Sequence, residues 1–245
     1  MTLQPRQDAY PIDALLPDLC ARFQPGRTLL LQAPPGAGKT TRVPLALIGA
    51  LGDQVRRDGR ILMIEPRRLA ARAAAARLAS SLEEPVGQRI GFAVRGEQRR
   101  SARTQVEVVT DGLFLRRLQA DPSLDGVSCV LFDEFHERRR DADLAFALLR
   151  EAAPLLRPDL SLMLMSATLD IADLRSRLPE ATVLTSEGRA HPVDTLHQPP
   201  RTDEPLPQQV LRAVETHGLD LPKGCLLYTS PSPRDPTKSR MPSSA

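Results

Sequence analysis

The stretch Ala33-Pro-Pro-Gly-Ala-Gly-Lys-Thr-Thr41 decides the fold, because it follows the pattern of a phosphate-binding loop. Successive backbone N–H groups in such a Gly-rich loop form a concave anion site at the start of a helix, where the helix dipole also favours negative charge. Lys39 can reach the terminal phosphates with its compact ammonium, and Thr40 supplies a hydroxyl for Mg²⁺. The residues predicted to bind a nucleotide are Gly36, Ala37, Gly38, Lys39, Thr40 and Thr41. Ala33 stands where the pattern G-x-x-x-x-G-K-[ST] has its first glycine, and a chance Gly-rich turn is the alternative interpretation.

The residues on either side of the loop have the patterns that a phosphate-binding unit requires. Residues 28–32 form an apolar run that predicts a buried strand, and residues 40–51 predict a helix. Lys39 is one of only three lysines in a chain that has thirty arginines. The chain therefore has lysine at the position where a planar guanidinium would not fit the same space.

Strands and helices alternate along the rest of the chain. Near-continuous apolar runs separated by helices are typical of a parallel sheet covered on both faces, so we predict an α/β fold. The predicted strands are residues 28–32, 60–65, 91–95, 105–110, 129–133, 160–165 and 182–185. The predicted helices are residues 12–23, 40–51, 67–82, 113–119, 142–152, 171–177 and 207–216, with a polar, Arg-rich turn between the third and fourth strands.

Composition limits the class of protein. The hydrophobic content of 41% is sufficient for a packed core, and the aromatic content of 3% means that Leu, Val, Ile and Ala build it. No apolar run reaches the roughly 18 residues of a membrane span, and the N-terminus lacks the apolar segment of a secretory signal. Cys20, Cys129 and Cys225 are widely spaced and give neither a metal pattern nor a disulfide framework. These features favour a cytoplasmic protein.

Basic residues are concentrated in one part of the chain. The net charge is only +3, but residues 56–117 contain fourteen arginines against seven acidic residues. Such a stretch can form a surface that faces nucleic acid. The alternative is a set of solvated helix faces in a protein that generally prefers arginine to lysine.

Asp133-Glu134-Phe135-His136 directly follows the predicted strand at residues 129–133. Beside a phosphate-binding loop, Asp133 would hold Mg²⁺ through the water shell of the metal, and Glu134 would orient and deprotonate the attacking water. The carboxyl end of a strand is where an open α/β sheet binds its ligands. An acidic turn that caps the following helix is the alternative interpretation.

Ser166-Ala167-Thr168 follows the predicted strand at residues 160–165, so three neighbouring strands each end in a short polar motif. Ser166 and Thr168 could hydrogen-bond the carboxylates or His136 and so link a nucleotide to a moving surface. The alternative is a helix N-cap, in which Thr168 or Asp170 begins the following helix.

Taken together and in this order, the Gly-Lys-Thr, Asp-Glu-x-His and Ser-Ala-Thr motifs resemble those of superfamily-2 helicases of the DEAH/RNA-helicase-A branch. Two further motifs are similar to that family's, namely Glu65-Pro-Arg-Arg-Leu-Ala-Ala71 and Thr110-Asp111-Gly112. The resemblance extends over about residues 11–224. Phe135 stands where the family usually has alanine, and this spelling is similar to that of a bacterial group within the branch.

The resemblance implies a RecA-like P-loop NTPase domain that couples ATP hydrolysis to movement along a nucleic acid strand, with RNA the favoured substrate. It implies that the loop residues bind ATP and Mg²⁺, with Thr40 and Asp133 serving the metal, and that Lys39, Asp133 and Glu134 serve catalysis. It also implies two further sets of residues, which couple hydrolysis to motion (His136, Ser166, Thr168) and lie along the sugar–phosphate backbone (Arg67, Arg68, Thr110, Asp111). Such contacts give affinity without sequence preference.

The sequence predicts four parts along the chain. Residues 1–26 are a helical lead-in and residues 27–190 are the ATP-binding domain. Residues 191–224 are a Pro-rich linker with the start of a second RecA-like domain, and His191, His197 and His217 are predicted to be surface or linker residues there. Residues 225–245 resemble a translated sequencing adapter rather than natural protein, with an ordinary Ser/Pro-rich tail as the alternative. We therefore expect the chain to represent a helicase truncated near Gly224.

Two other functions remain open on the sequence. The first is a P-loop NTPase or kinase of another class, which would use the same loop with a substrate lid. The second is a non-catalytic module that binds a nucleotide or RNA. The expected partners are single-stranded RNA or DNA, with no membrane partner, and the sequence does not indicate an oligomeric state.

Overall fold

The computed structural model describes residues 10–50, 59–168, 174, 176–187, 199 and 205–217. Internal contacts divide the chain into one unit at residues 1–190 and a second at residues 191–245. The predictions for residues 1–9, for His191 and His197 and for the tail at residues 225–245 fall outside the described residues, as does most of the predicted helix at 171–177. The division of the chain into four parts stays a prediction.

The first unit contains an eight-stranded sheet with the order β4-β3-β5-β2-β6-β7-β1-β8. Strand β4 is antiparallel to β3, and every other neighbouring pair is parallel. The strands are β1 (Thr28–Gln32), β2 (Arg60–Glu65), β3 (Ile90–Val94), β4 (Glu97–Arg99), β5 (Val106–Thr110), β6 (Val127–Phe132), β7 (Ser161–Ser166) and β8 (Thr182–Thr185). The predicted α/β class with a mainly parallel sheet is confirmed.

Helices connect the strands in the predicted alternation. They are α1 (Leu16–Arg22), α2 (Lys39–Ala50), α3 (Arg68–Ser81), α4 (Asp111–Ala120), α5 (Arg140–Leu156) and, in the second unit, α6 (Leu206–His217). Two short 3-10 turns add Pro11–Ala14 before α1 and Phe135–Glu137 after β6.

The sheet buries both of its faces, because successive side chains of a strand point to opposite sides. In β1, Leu29 and Leu31 join one apolar cluster with residues of α1, α2 and α3, while Leu30 joins another with residues of α4 and α5. All three leucines are fully buried, and burying each contributes about 1.5–3 kcal/mol of transfer free energy. The near-continuous apolar runs of the sequence therefore arise from a sheet with helices on both faces.

The strand order brings the polar motifs to one edge of the sheet. Strand β7 lies between β1 and β6, and β2 lies on the other side of β6. Gln32 is paired with Ser166, Leu164 with Phe132, and Phe132 with Ile64, so these four strands end within two residues of one another. Because parallel strands share their carboxyl edge, the residues that follow them meet there.

Most bounds differ from the prediction by one or two residues, and the predicted helix at 12–23 is a 3-10 turn followed by the shorter α1. Two further differences are larger. Strand β4 lies in the stretch predicted as a polar turn, and its residues are too few and too polar to give an apolar signal. Helix α5 extends to Leu156, past the predicted end at residue 152, and contains Pro154 in its last turn. A proline there removes one hydrogen-bond donor without breaking the preceding turns.

Candidate functional site

The phosphate loop has the backbone conformation that its glycines allow. Gly36 and Gly38 have φ values of +76° and +97°, a region that glycine enters without steric cost. A Cβ on Gly38 would lie only 2.9 Å from the ring of Tyr10. Ala33 is fully buried and does not have a positive φ, so the position accommodates a Cβ. This explains why the chain tolerates alanine where the loop pattern has glycine.

Lys39 lies inside the curve of this loop. Its side chain is almost fully buried, and Nζ donates hydrogen bonds to the carbonyl oxygens of Ala33 at 2.6 Å and Pro34 at 3.2 Å. The Lys39 ammonium is therefore held by carbonyl groups of its own loop, next to the first turn of α2. Thr41 lies one turn in, where its hydroxyl donates to the carbonyl of Gly38 at 3.3 Å.

Asp133 joins the loop to the acidic motif at the end of β6. The hydroxyl of Thr40 donates to Asp133 Oδ2 at 2.5 Å, and the backbone N–H of Glu134 donates to Asp133 Oδ1 at 2.9 Å. The Asp133 side chain is buried, and burial raises its pKa, with the charge of Glu134 adding to the rise. Thr40 and Lys39 act in the opposite direction by stabilising the carboxylate.

Glu65, the last residue of β2, belongs to the same group of side chains and was not predicted as a site residue. It is buried, and burial followed by the charge and hydrogen bond of Asp133 raises the pKa of Glu65 to about 9. The raised pKa favours the protonated form of Glu65 beside Asp133. The signal that could have identified it is the one used for Asp133, a carboxyl group at the end of an apolar strand.

Glu134 begins a tight turn in which two non-glycine residues have left-handed backbones. Glu134 has φ 49° and Arg138 has φ 47°, and such conformations persist where the surrounding structure enforces them. Phe135 lies between them and is buried against Phe132 and Phe146, with ring centroids 6.0 Å and 5.6 Å away. The aromatic contacts hold the turn and leave the Glu134 side chain partly exposed at the sheet edge.

His136 and Glu134 are neighbours within this turn. His136 Nδ1 lies 3.3 Å from Glu134 Oε2, although the geometry does not satisfy Nδ1 as a hydrogen-bonded atom. The pair therefore places an imidazole beside the carboxylate that was predicted to act on water.

Ser166 lies at the end of β7, between the loop and the acidic motif. Its carbonyl oxygen accepts the N–H of Ala33 at 3.0 Å, so the strand end is bonded directly to the phosphate loop. Its buried hydroxyl accepts the N–H of Thr168 at 3.2 Å. The alternative interpretation, a cap in which Thr168 or Asp170 begins the following helix, depends on residues outside those that the structure describes. Across the residues described, neither Ser166 nor Thr168 forms a side-chain hydrogen bond with Asp133 or His136.

The residues predicted to lie along a nucleic acid strand fall into two groups. Arg67 and Arg68 are exposed at the start of α3, and Arg67 forms an ion pair with Glu137 at 3.2 Å. Thr110 and Asp111 are buried at the start of α4. Asp111 pairs with Arg139 at 2.5 Å and raises the pKa of that guanidinium. Asp111 and Arg139 line a small cleft together with Pro66 and Glu134.

The donor set suits a metal held largely by phosphate oxygens and water. Thr40 and Asp133 provide two hard oxygen atoms within 2.5 Å of each other, which is the chemistry that Mg²⁺ prefers. In the part of the chain that the structure describes, no three His, Cys, Asp or Glu side chains group as ligands for a resident metal ion. Within the same residues, no helix has the length and apolarity needed to cross a membrane.

Similar proteins share this sequence and fold. The sequence pattern of the family described as "DEAD/DEAH box helicase" matches residues 16–176. The chain is 47% identical over 191 residues to the ATP-dependent RNA helicase HrpB of Escherichia coli (strain K12), a match that covers 78% of this chain and 23% of that protein. It is 36% identical over 183 residues to an ATP-dependent RNA helicase HrpA homolog of Haemophilus influenzae, covering 74% of this chain and 14% of that one.

Solved structures agree with the sequence matches. A crystal structure of the Escherichia coli DEAH/RHA helicase HrpB superposes with a TM-score of 0.80 at 42% identity, covering 86% of this chain and 27% of that one. A crystal structure of the E. coli DExH-box NTPase HrpB gives a TM-score of 0.75 at 41% identity, covering 89% and 27% of the two chains. This chain thus spans about a quarter of the length of its HrpB relatives. Since the family pattern covers well over half of its residues and the fold agrees, the chain belongs to the DEAD/DEAH box helicase family.

Proposed function

We propose that this chain is the ATP-binding part of a DEAH-type, ATP-dependent helicase that moves along a nucleic acid strand. The observation that carries the proposal is the 2.5 Å hydrogen bond between Thr40 and Asp133. It joins the phosphate loop to the acidic motif across two separate strands, which a chance Gly-rich turn or a simple capping turn would not do. A triphosphate held by the loop would therefore have its terminal phosphate next to Asp133 and Glu134.

The loop residues would hold ATP. The N–H groups of Gly36, Ala37, Gly38, Lys39, Thr40 and Thr41 lie at the start of α2, where the helix dipole favours phosphate. Lys39 would exchange its two loop carbonyls for the terminal phosphates. Mg²⁺, when bound, would be held by the Thr40 hydroxyl and, through water, by Asp133, and it would neutralise developing charge on the phosphates.

The acidic motif would carry out hydrolysis. Asp133 is fixed from two sides by Thr40 and by the N–H of Glu134, which suits a metal-positioning carboxylate. The Glu134 carboxylate is partly exposed and free to accept a proton from water. His136 is in contact with Glu134. It would respond to a change in the protonation of this carboxylate and so couple hydrolysis to motion. Ser166 and Thr168 would complete the coupling, because the carbonyl of Ser166 is bonded to the loop at Ala33.

Nucleic acid would run along the exposed start of α3. Arg67 and Arg68 offer guanidinium groups for phosphate oxygens, a geometry for which arginine is suited. Thr110 and Asp111 would act from beneath this surface, because Asp111 is buried and occupied by Arg139. RNA is favoured over DNA because both curated relatives are named as RNA helicases.

The comparison with longer relatives limits what this chain would do alone. The family resemblance implies that arginine fingers and the second wall of the nucleic acid channel come from a second RecA-like domain. An arginine finger contributes about 10³–10⁵ in rate. We therefore expect the chain to bind ATP and to hydrolyse it very slowly.

Two measurements test the proposal. The chain should bind Mg²⁺ and the slowly hydrolysed analogue ATPγS, as measured by isothermal titration calorimetry, and Lys39→Ala should abolish that binding. In the longer parent protein, single-stranded RNA should stimulate ATP hydrolysis. A chain that binds the analogue equally well with and without Lys39 would refute the proposal, and a parent ATPase indifferent to RNA and DNA would favour a P-loop kinase or another NTPase.

A further inference from the structure

The phosphate loop is in contact with the segment that precedes α1. A Cβ built on Gly38 would lie 2.9–3.0 Å from three atoms of the Tyr10 side chain, so the Tyr10 side chain packs against the loop where glycine leaves room. The N–H of Ile12 donates to the carbonyl of Ala37 at 3.2 Å. The loop is therefore held from outside its own strand–loop–helix unit.

Charged and aromatic contacts hold this segment in place. The Asp13 carboxylate accepts Arg42 Nε at 2.6 Å and the backbone N–H of Tyr10 at 3.0 Å. The Arg42 guanidinium also lies over the Tyr10 ring, 5.9 Å from its centroid. Arg42 belongs to the first turn of α2. Through these contacts, the lead-in segment is joined both to the loop at Gly38 and to the start of α2. We call Tyr10, Asp13 and Arg42 the lead-in latch.

These contacts are poorly placed to act mainly on stability. The side chains of Asp13 and Arg42 remain 24% and 30% exposed, and ion pairs in contact with water contribute little to folding free energy. Burial in this segment is provided by Ile12, which is fully buried in the core. The partners of the latch are instead the backbone of Gly38 and the first turn of α2.

We propose that the lead-in latch is a positioning device that keeps the phosphate loop in its phosphate-binding shape and so raises the affinity for a nucleoside triphosphate. This inference rests on the proposed function. A Gly-rich loop has many accessible backbone conformations, and only the one with converging N–H groups binds phosphate. The apparent affinity is proportional to the fraction of molecules whose loop has that conformation, which we call the competent fraction. A contact that fills the space beside Gly38 increases the competent fraction.

The test compares four variants of the chain by titrating each with ATPγS in the presence of Mg²⁺. Tyr10→Ala removes the ring, and Asp13→Asn removes the charge that holds Arg42. If the competent fraction falls to about one tenth, the dissociation constant rises about tenfold in both variants. Tyr10→Phe keeps the packing surface and should bind like the unaltered chain. Asp18→Asn is the matched control, because Asp18 pairs with Arg22 on the exposed side of α1 at 2.7 Å and does not touch the loop.

The melting temperature without ligand separates positioning from general stability. We expect Tyr10→Ala and Asp13→Asn to bind ATPγS more weakly although both variants are fully folded at the titration temperature. Unchanged affinity in these two variants, or an equal loss in Asp18→Asn, would overturn the latch while leaving the nucleotide site intact. Failure of Lys39→Ala to affect binding would instead overturn the proposed function itself. If Tyr10→Ala does not fold, Asp13→Asn compared with Asp18→Asn still decides the question.

Discussion

At the residue scale, the two carboxylates of the acidic motif have different surroundings although they are adjacent in sequence. Asp133 is buried and accepts hydrogen bonds from Thr40 and from the N–H of Glu134. Glu134 has a left-handed backbone, with φ 49°, and its side chain is 36% exposed. A fixed carboxylate suits metal positioning, whereas an accessible one suits proton transfer, so the structure supports separate roles.

Replacing Glu134 by glutamine separates ATP binding from hydrolysis. Glutamine keeps the size of the side chain but cannot take a proton from water, and loss of a general base typically costs about 10²–10⁴ in rate. In the longer parent protein, we expect Glu134→Gln to lower RNA-stimulated phosphate release by that factor while the affinity for ATPγS is retained. A phosphate-release assay and a titration on the same preparation measure both quantities.

Asp143→Asn is the control for this variant. It removes one carboxylate from the same stretch of chain, where Asp143 pairs with the exposed Arg138 at 3.2 Å. We expect it to retain both binding and hydrolysis. If Glu134→Gln hydrolysed ATP as well as Asp143→Asn, the role assigned to Glu134 would be wrong.

At the element scale, Glu107 connects four parts of the sheet and its helices. It lies on β5, is fully buried, and accepts Arg60 of β2 at 2.9 Å, Arg117 of α4 at 2.7 Å and Arg100 beyond β4 at 3.3 Å. Burial opposes ionisation, but the hydrogen bonds and charges of the three arginines outweigh it and lower the pKa of Glu107. A lowered pKa means that the folded state binds the proton less readily than the unfolded chain.

Glu107 therefore contributes stability that is present above its ordinary pKa and is lost as the pH falls through the lower folded value. At pH 7 we expect Glu107→Gln to reduce the free energy of unfolding by about 2–4 kcal/mol, because charge-assisted hydrogen bonds are lost from a buried site. Below the ordinary carboxyl pKa of 4.5, the difference between the variant and the unaltered chain should shrink. Urea unfolding at a series of pH values measures this difference.

Glu97→Gln is a suitable control, since Glu97 on β4 of the same sheet pairs only with exposed arginines, Arg72 at 3.5 Å and Arg99 at 4.0 Å. Such pairs contribute about 0–1 kcal/mol. A stability gap for Glu107→Gln that stayed constant from pH 7 to strongly acidic pH would contradict the lowered pKa.

The elements also show which parts of the structure the sequence could predict. The predicted bounds of β1, β2 and β8 agree with the structure, because each is a short run with apolar side chains that lie on the faces of the sheet. The meeting of Thr40 with Asp133 followed from the rule that parallel strands share their carboxyl edge. Strand β4 was not predicted, since an edge strand of three polar residues is stabilised by pairing with β3 rather than by burial.

Contacts between distant segments were the part that the sequence did not predict. Glu65 ends an apolar strand, and its inclusion in the site depends on β2 lying beside β6, an adjacency that a linear pattern does not contain. Tyr10 precedes every motif, and its contact with Gly38 depends on how the lead-in segment folds back over the loop. Motifs identify the residues that touch a ligand, whereas the residues that position them are found through packing.

At the scale of the whole molecule, a sheet covered by helices on both faces brings the predicted site residues together at one edge. Helices cover both faces of the sheet, while the loop, the acidic motif and the Arg67–Arg68 surface all lie at its carboxyl edge. Phosphoryl transfer depends on charge placed around the whole phosphate. The charged groups of this site, Lys39, Asp133 and Glu134, would all contact the phosphate from the carboxyl edge of this sheet. A second set of groups facing this edge would complete the enclosure.

The last prediction concerns the chain acting alone. Its HrpB relatives are much longer, since the match covers only 23% of the curated protein and 27% of the solved chain. We expect the isolated chain to bind ATPγS and to hydrolyse ATP at least about 10³-fold more slowly than the longer parent. The reason is that the family resemblance implies an arginine finger supplied by a second RecA-like domain, and such a finger contributes about that factor in rate. We also expect the isolated chain not to separate a labelled RNA duplex under conditions in which the parent does, because one wall of a channel cannot hold a strand against the force of duplex reannealing. A strand-separation assay at equal protein concentrations measures this directly. The Lys39→Ala parent, which has the full length but no phosphate-binding ammonium, serves as the inactive control. Duplex separation by the isolated chain above the level of that control would show that a single sheet edge is sufficient for the helicase reaction.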